Sequence, residues 1–192
     1  MNNSSALRVA ALAIALATLG GCVPVLIAGA AGSAALVATD RRSAGAQLDD
    51  ETIELKVSAQ ANSEFGNRIH LNVTSYNGYV LLTGEVPDQG VWASVGNIAK
   101  NTEKVRGVHN EFVVGLLSDF SSRSNDTYIT SKVKTRMIEA NRFPPNVVKV
   151  VTERGVVYLM GIVSKEEGDA AAEIAATTAG VVRVVKFFQY PG

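Results

Sequence analysis

Residues 77–86 of this chain read NGYVLLTGEV, and residues 154–163 read RGVVYLMGIV. The two stretches align at an offset of 77 residues, and in each an apolar run follows one glycine and contains a second. An apolar run directly after a turn glycine is typical of the second strand of a β-hairpin, and the pair Asn77-Gly78 favours a type I′ turn. The repeat therefore predicts two copies of one structural module.

The segments around these stretches predict the same order of elements in each copy, α-β-β-α-β. Helices are predicted from apolar residues at i, i+4 and i+8, and strands from short β-branched runs between turn signals. The predicted elements are residues 49–62, 70–75, 79–86, 88–104 and 108–115 in the first copy and 126–140, 147–152, 156–163, 165–179 and 181–190 in the second. We expect two domains, residues 48–117 and 118–192, each an α+β fold with two helices packed on a small mixed three-stranded sheet.

The N-terminus predicts an export signal. Residues 9–19 form an uncharged apolar run after Arg8, and as a helix they would span roughly 17 Å, too short for a bilayer core of about 30 Å. The run closes with Leu19-Gly20-Gly21-Cys22, which contains the only cysteine of the chain. These features describe a secretory signal peptide over residues 1–21. The alternative is an uncleaved membrane helix, since residues 9–39 carry no charge, although glycines and a proline interrupt that segment.

The tetrapeptide at residues 19–22 resembles the bacterial lipobox. The resemblance implies that Cys22 is acylated, and two or three acyl chains at about 0.8 kcal/mol per buried CH₂ make such an anchor effectively permanent. Val23 rather than Asp follows the cysteine, which by the same resemblance implies the periplasmic side of the outer membrane. Residues 22–47 are rich in Ala, Gly and Ser and predict a flexible tether or, alternatively, an Ala-rich helix that lies on the membrane.

The repeated module resembles the BON domain. The resemblance rests on Gly-x-Val-x-Leu-x-Gly at residues 155–161 and 78–84 and on SNDTYIT at residues 124–130. Together with the lipobox it extends to the dual BON-domain outer-membrane lipoproteins. It implies that the second BON domain binds anionic phospholipid, with an aromatic residue at the place of Tyr128 in the binding surface. It also implies a role in envelope integrity and localisation at cell-division sites.

Composition and motifs do not indicate an enzyme. The single cysteine excludes an internal disulfide, and 18 basic against 18 acidic residues disfavour nucleic-acid binding through charge alone. His70 and His109 stand in no metal-ligand spacing, and the acidic pairs fall at predicted helix starts, where the macrodipole favours them. We predict a non-enzymatic protein without metal or cofactor. Gly84 and Gly161, inside predicted strands, are expected to be structural, at a close approach of two backbone segments.

Charge and helix periodicity place a candidate membrane surface on the second module. Residues 49–117 contain five basic and nine acidic residues, a net charge of −4, whereas residues 118–192 contain ten and eight, a net charge of +2. At 100° per residue, Tyr128 lies roughly 100° to 180° away from the apolar face of the predicted helix 126–140. An exposed tyrosine beside a lysine suits the headgroup region of a bilayer. The predicted phospholipid-binding residues are Tyr128, Lys132, Lys134, Thr135 and Arg136.

Two alternatives stay open at this level. In the first, Tyr128 packs against the other module instead of facing a membrane. In the second, the basic helix docks on an acidic partner, and the protein is an adaptor for an envelope assembly factor or protease.

Overall fold

The computed structural model describes residues 40–191, and it confirms the predicted order of elements in both modules. Module one contains α1 (Ala44–Phe65), β1 (His70–Tyr76), β2 (Tyr79–Val86), α2 (Gln89–Asn101), β3 (Gly107–Asn110) and a short β4 (Val113–Val114). Module two contains α3 (Phe120–Ala140), β5 (Val148–Glu153), β6 (Val156–Ile162), α4 (Lys165–Ala176) and β7 (Arg183–Gln189). The predicted signal peptide and Cys22 lie outside the described residues.

Each sheet is mixed, as predicted for the α+β class. β1 and β2 form an antiparallel hairpin, and the chain then crosses over through α2, so that β3 runs parallel to β2. A helical crossover of this kind is what a parallel strand pair requires. β5, β6 and β7 repeat the arrangement around α4. β4 pairs in parallel with the end of β2, so the sheet of module one has four strands, and the prediction of three is wrong there.

The two helices of each module cover one face of its sheet. α1 contributes Ile53, Val57 and Ala61, which recur every four residues and are at most 1% exposed. The stripe predicted for α3 is buried in the same way and consists of Ile129, Val133 and Met137. These stripes and the strand residues beneath them form a separate apolar core in each module.

The other faces of the two sheets pack against each other. Tyr76 and Leu81 of module one form a third buried cluster with Tyr158 and Met160 of module two. This contact explains why every residue of β2 from Val80 to Val86 is buried, although a strand with one solvated face would alternate. The sequence analysis did not predict that the modules meet through their sheets.

The first helix of each module begins earlier than predicted. Ser43 Oγ accepts a hydrogen bond from the backbone N–H of Ala46, and α1 therefore starts at Ala44. Likewise α3 starts at Phe120, six residues before the predicted position. Within residues 40–191, no helix is both long enough and apolar enough to cross a membrane.

The segment that precedes α1 is held by both modules. Arg42 binds Asp50 of module one at 2.9 Å and lies 4.1 Å from the centre of the Tyr76 ring. Arg41 forms a two-pronged ion pair with Glu167 of module two, at 2.6 and 2.7 Å. The prediction of a flexible tether up to residue 47 is therefore wrong for residues 40–47, because charge pairing and a helix cap fix them.

Candidate functional site

The outer side of α3 carries the predicted surface. Asp119 caps this helix by accepting the backbone N–H of Ser122 at 2.7 Å, and Asn141 ends it in the left-handed conformation. Since the stripe that includes Ile129 faces the core, the side chains between the stripe positions face outward. Tyr128 is 62% exposed, which contradicts the alternative that it packs against the other module.

A shallow groove of about 510 Å³ runs along this side of α3. Tyr128, Lys132, Thr135 and Arg136 line it from α3, and residues 177–179 line it from the segment after α4. Lys132 Nζ lies 4.6 Å from the centre of the Tyr128 ring, within the range of a cation–π contact. The residues that line the groove, all within the described part of the chain, include two cations and no acid. The groove therefore pairs an exposed aromatic ring with positive charge.

Arg136 has a more structural position than the sequence predicted. Its guanidinium donates to the carbonyl of Ile174 at 3.1 Å and to the hydroxyls of Thr178 and Thr177 at 2.8 and 3.1 Å. These acceptors belong to the C-terminal end of α4, where cations are favourable. Arg136 thus holds α4 against α3 while its charge stays beside the groove.

Lys134 does not share this surface. It is exposed, but it lines a second groove between the two modules together with His70 and Glu153. The prediction that Lys134 lies beside Tyr128 is wrong. Lys134 is two residues after Lys132, and two residues along a helix correspond to a rotation of about 200° about the helix axis, so the two lysines point in nearly opposite directions. Four of the five predicted residues therefore lie together, and Lys134 lies elsewhere.

Comparison with known proteins assigns the repeated module. A family model described as "BON domain" matches residues 49–115 and 125–192. The chain belongs to the BON-domain family. It is 41% identical over 174 residues to the outer membrane lipoprotein DolP of Haemophilus influenzae, with 90% of each chain covered. It is 36% identical to the 21 kDa hemolysin of Actinobacillus pleuropneumoniae, with 79% of each covered, and 30% identical to osmotically-inducible protein Y of Escherichia coli, with 71% and 70% covered.

These matches support the broader predictions. The two BON domains and the similarity to DolP identify an outer-membrane lipoprotein of that type. They indicate no catalytic family.

Sequence analysis missed a buried aspartate that fixes the hairpin turn of each BON domain. Asp126, inside α3, accepts the backbone N–H groups of Arg154 and Gly155 at 2.8 Å each. Arg154 and Gly155 both have positive φ, as a type I′ turn requires. The carboxylate thus joins the first helix of the module to the tip of its hairpin.

Asp50 has the same role in module one. It accepts the backbone N–H groups of Asn77 and Gly78 at 2.7 and 2.8 Å and the hydroxyl of Ser75 at 2.6 Å. The interpretation of Asp50 as a helix-start residue is wrong, because α1 begins six residues earlier, at Ala44. The available signal was the repeat itself, in which an aspartate stands 28 or 29 residues before each turn glycine.

Gly84 and Gly161 stand at equivalent places near the ends of β2 and β6. A Cβ atom at Gly84 would overlap the carbonyl oxygen of His70, and one at Gly161 would overlap that of Val147. Both neighbours are backbone atoms, which cannot rotate away. This geometry supports the predicted structural role of the two glycines.

Proposed function

We propose that this protein is anchored in the outer membrane through acylated Cys22 and binds anionic phospholipid of that membrane through the groove on α3. The observation that carries the proposal is the exposed ring of Tyr128 beside Lys132 in a groove lined by cations. In this proposal the contact serves envelope integrity and localisation at cell-division sites.

The chemistry of the groove suits a phospholipid headgroup. A tyrosine ring partitions into the interfacial layer of a bilayer, where its apolar body and its hydroxyl both find suitable surroundings. Each lysine or arginine near an anionic surface contributes about 1 kcal/mol. Lys132 supplies such a charge next to the ring, Arg136 supplies a second, and the Thr135 hydroxyl is exposed to donate to a phosphate oxygen.

The proposed anchor lowers the affinity that the groove needs. A module attached to the same bilayer experiences an effective lipid concentration in the millimolar range or above. A contact of millimolar affinity would then be occupied for much of the time. The groove is therefore adequate without the deep pocket that a freely diffusing lipid carrier requires.

Vesicle binding by a fragment of residues 40–192 tests the proposal, because this fragment contains both cores and lacks the proposed acylation site. We expect it to co-sediment with vesicles that contain phosphatidylglycerol and not with vesicles of phosphatidylcholine alone. Tyr128→Glu should weaken binding at least about fivefold, which corresponds to about 1 kcal/mol. The matched control is Tyr190→Glu, since Tyr190 is also exposed (51%) on module two and lies outside the groove.

Three results would contradict the proposal. They are unchanged binding of a folded Tyr128→Glu fragment, an equal loss in the Tyr190→Glu control, and an intact mass of the membrane-extracted protein that shows Cys22 without acyl chains. A photo-crosslinker at Thr135 that captures one discrete protein in cells instead of lipid would favour the adaptor alternative.

A further inference from the structure

Three metal-ligating side chains meet where the sheets of the two modules pack together. His70 begins β1 and pairs in register with Glu85 of β2, so both side chains lie on the face that module two covers. Glu153, at the end of β5, approaches from module two. His70 Nδ1 is 2.9 Å from Glu85 Oε2 and 3.8 Å from Glu153 Oε1, and one ligand atom from each of the three residues lies within 4.8 Å of the others.

The Glu85 carboxylate is buried, and its neighbours satisfy its charge and hydrogen-bonding capacity only in part. Its side chain is fully inaccessible, and within residues 40–191 its Oε1 atom has no hydrogen-bond partner. The nearest cation on that side is the Arg154 guanidinium, 3.7 Å away and on a side chain that is 48% exposed. A buried carboxylate with one oxygen that accepts no hydrogen bond is incompletely compensated, and a further cation beside it would lower the cost of its burial.

The neighbouring side chains orient the two carboxylates. Asn72 Nδ2 donates to Glu153 Oε2 at 2.9 Å, which leaves Oε1 directed at His70. Ser118 Oγ donates to Glu85 Oε2 at 3.1 Å. Burial raises the pKa of the Glu153 carboxyl, as expected for an acid that lacks a full counter-charge. Hydrogen bonds from outer groups to the ligands are a regular feature of protein metal sites.

We propose that His70, Glu85 and Glu153 bind a divalent transition-metal ion of the zinc type and that this ion bridges the two BON domains. One imidazole nitrogen and two carboxylate oxygens are a ligand set that zinc accepts. Tetrahedral zinc with bonds of about 2.0–2.1 Å places its ligand atoms about 3.3–3.5 Å apart. The separations of 2.9 Å between His70 and Glu85 and 3.8 Å between His70 and Glu153 lie on either side of this value, so these two pairs need only small side-chain shifts.

The site has an entry path and a structural consequence. His70 and Glu153 line the groove of about 540 Å³ between the modules, from which a water molecule can complete the coordination. The ion would replace the hydrogen bond between His70 and Glu85, with the imidazole proton on Nε2. Because the ligands come from both modules, the ion would stabilise the docked arrangement over a separated one.

Zinc binding by the whole 192-residue chain, produced without a histidine tag and held in detergent micelles, tests this inference. After treatment with a chelator and its removal, titration with Zn²⁺ against a fluorescent zinc indicator should show one ion per chain. His70→Gln and Glu85→Gln should each weaken binding at least about tenfold. The matched control is His109→Gln, because His109 lies at the same interface, stacked on Phe187 at 3.8 Å, but outside the cluster.

A second variant separates metal binding from folding. Arg154→Gln removes the cation beside Glu85, so it should strengthen zinc binding even though it removes a partner of a buried charge. Zinc should also raise the thermal unfolding midpoint of the wild type and of His109→Gln, but not that of His70→Gln. The inference is overturned if the wild type binds no zinc, if folded His70→Gln binds it as tightly, if His109→Gln loses it equally, or if Arg154→Gln weakens it.

Discussion

Replacement of Asp126 by alanine tests whether the link between helix and hairpin determines the stability of a BON domain. Asp126 is 4% exposed, and its two carboxylate oxygens accept the two backbone N–H groups at the turn between β5 and β6. Alanine removes both acceptors and leaves two backbone donors without partners, of which the Gly155 N–H is buried and the Arg154 N–H is partly buried. It leaves the neighbouring core residues of α3 unchanged.

The expected loss follows from these two bonds. A hydrogen bond to a charged group contributes about 1.5–3 kcal/mol, so two such bonds give a loss of about 3–6 kcal/mol in the free energy of unfolding. The turn also holds Arg154 at a φ of 51°, which a side chain adopts at some cost without this support. For a domain pair of this size the loss corresponds to a fall of roughly 6–24 °C in the unfolding midpoint.

Urea unfolding followed by circular dichroism measures this loss, with the slope of the transition used to verify that the unfolded state is unchanged. The matched control is Asp119→Ala, since Asp119 caps the same helix through one backbone N–H at an exposed position. Loss of an exposed cap costs about 1 kcal/mol. If Asp126→Ala costs no more than Asp119→Ala, the two bonds from Asp126 to the turn do not stabilise the domain and the reasoning fails.

Two further predictions concern the close packing of β6 at Gly161 and the ion pair in the segment before α1. Gly161→Ala should lower the free energy of unfolding by about 2–3 kcal/mol, because the new methyl group overlaps the Val147 carbonyl. The control Gly45→Ala, where the new methyl group meets no atom nearer than 3.8 Å, should be neutral or stabilising by about 0.5 kcal/mol. Equal effects of the two substitutions in urea unfolding would contradict this prediction. The hydrogen bond from Arg41 lowers the pKa of Glu167 below 4.5, so the stabilisation by this pair is complete above that pH and is lost as the pH falls through the lowered pKa. The stability difference between wild type and Glu167→Gln should therefore shrink on acidification, and a difference that grows would refute the assignment.

The fold was predictable where local signals decide it. The hairpin of module one follows from Asn77-Gly78 between two β-rich runs, and the core face of α3 follows from the four-residue spacing of Ile129, Val133 and Met137. The start of α4 at Lys165, beside Glu166 and Glu167, was predicted correctly, whereas the acidic residues 49–51 did not mark the start of α1. Ser43 caps α1 through a hydroxyl, and the Ala-rich residues around it resembled a tether.

In the candidate site, too, local sequence patterns predict some features and not others. Helix periodicity places Tyr128 off the core face of α3, but only its exposure in the structure shows that it does not pack against the other module. The contacts of Arg136 depend on the end of α4, about 40 residues further along the chain, and no pattern within α3 indicates them. The cluster of His70, Glu85 and Glu153 combines three strands from two modules, so no sequence spacing reveals it.

Within β2 and β6, the differences between the two copies lie on the sheet faces that meet. Both copies keep an aspartate that holds the hairpin turn and a glycine that admits a backbone carbonyl, because each module needs these groups to fold. On the facing surfaces, Thr83 of β2 corresponds to Met160 of β6, and Glu85 corresponds to Ile162. The two sheets present different faces to each other, so neither face has to be complementary to a copy of itself. One module can therefore carry polar groups where the other carries apolar ones. In an isolated module this sheet face would be uncovered, and water would solvate Glu85. Its charge becomes costly only when the second sheet covers it. The burial of Glu85 is therefore a property of the pair. His70 of the first BON domain contacts one carboxylate oxygen at 2.9 Å, and further compensation comes from Arg154 of the second domain or from an ion held between the two.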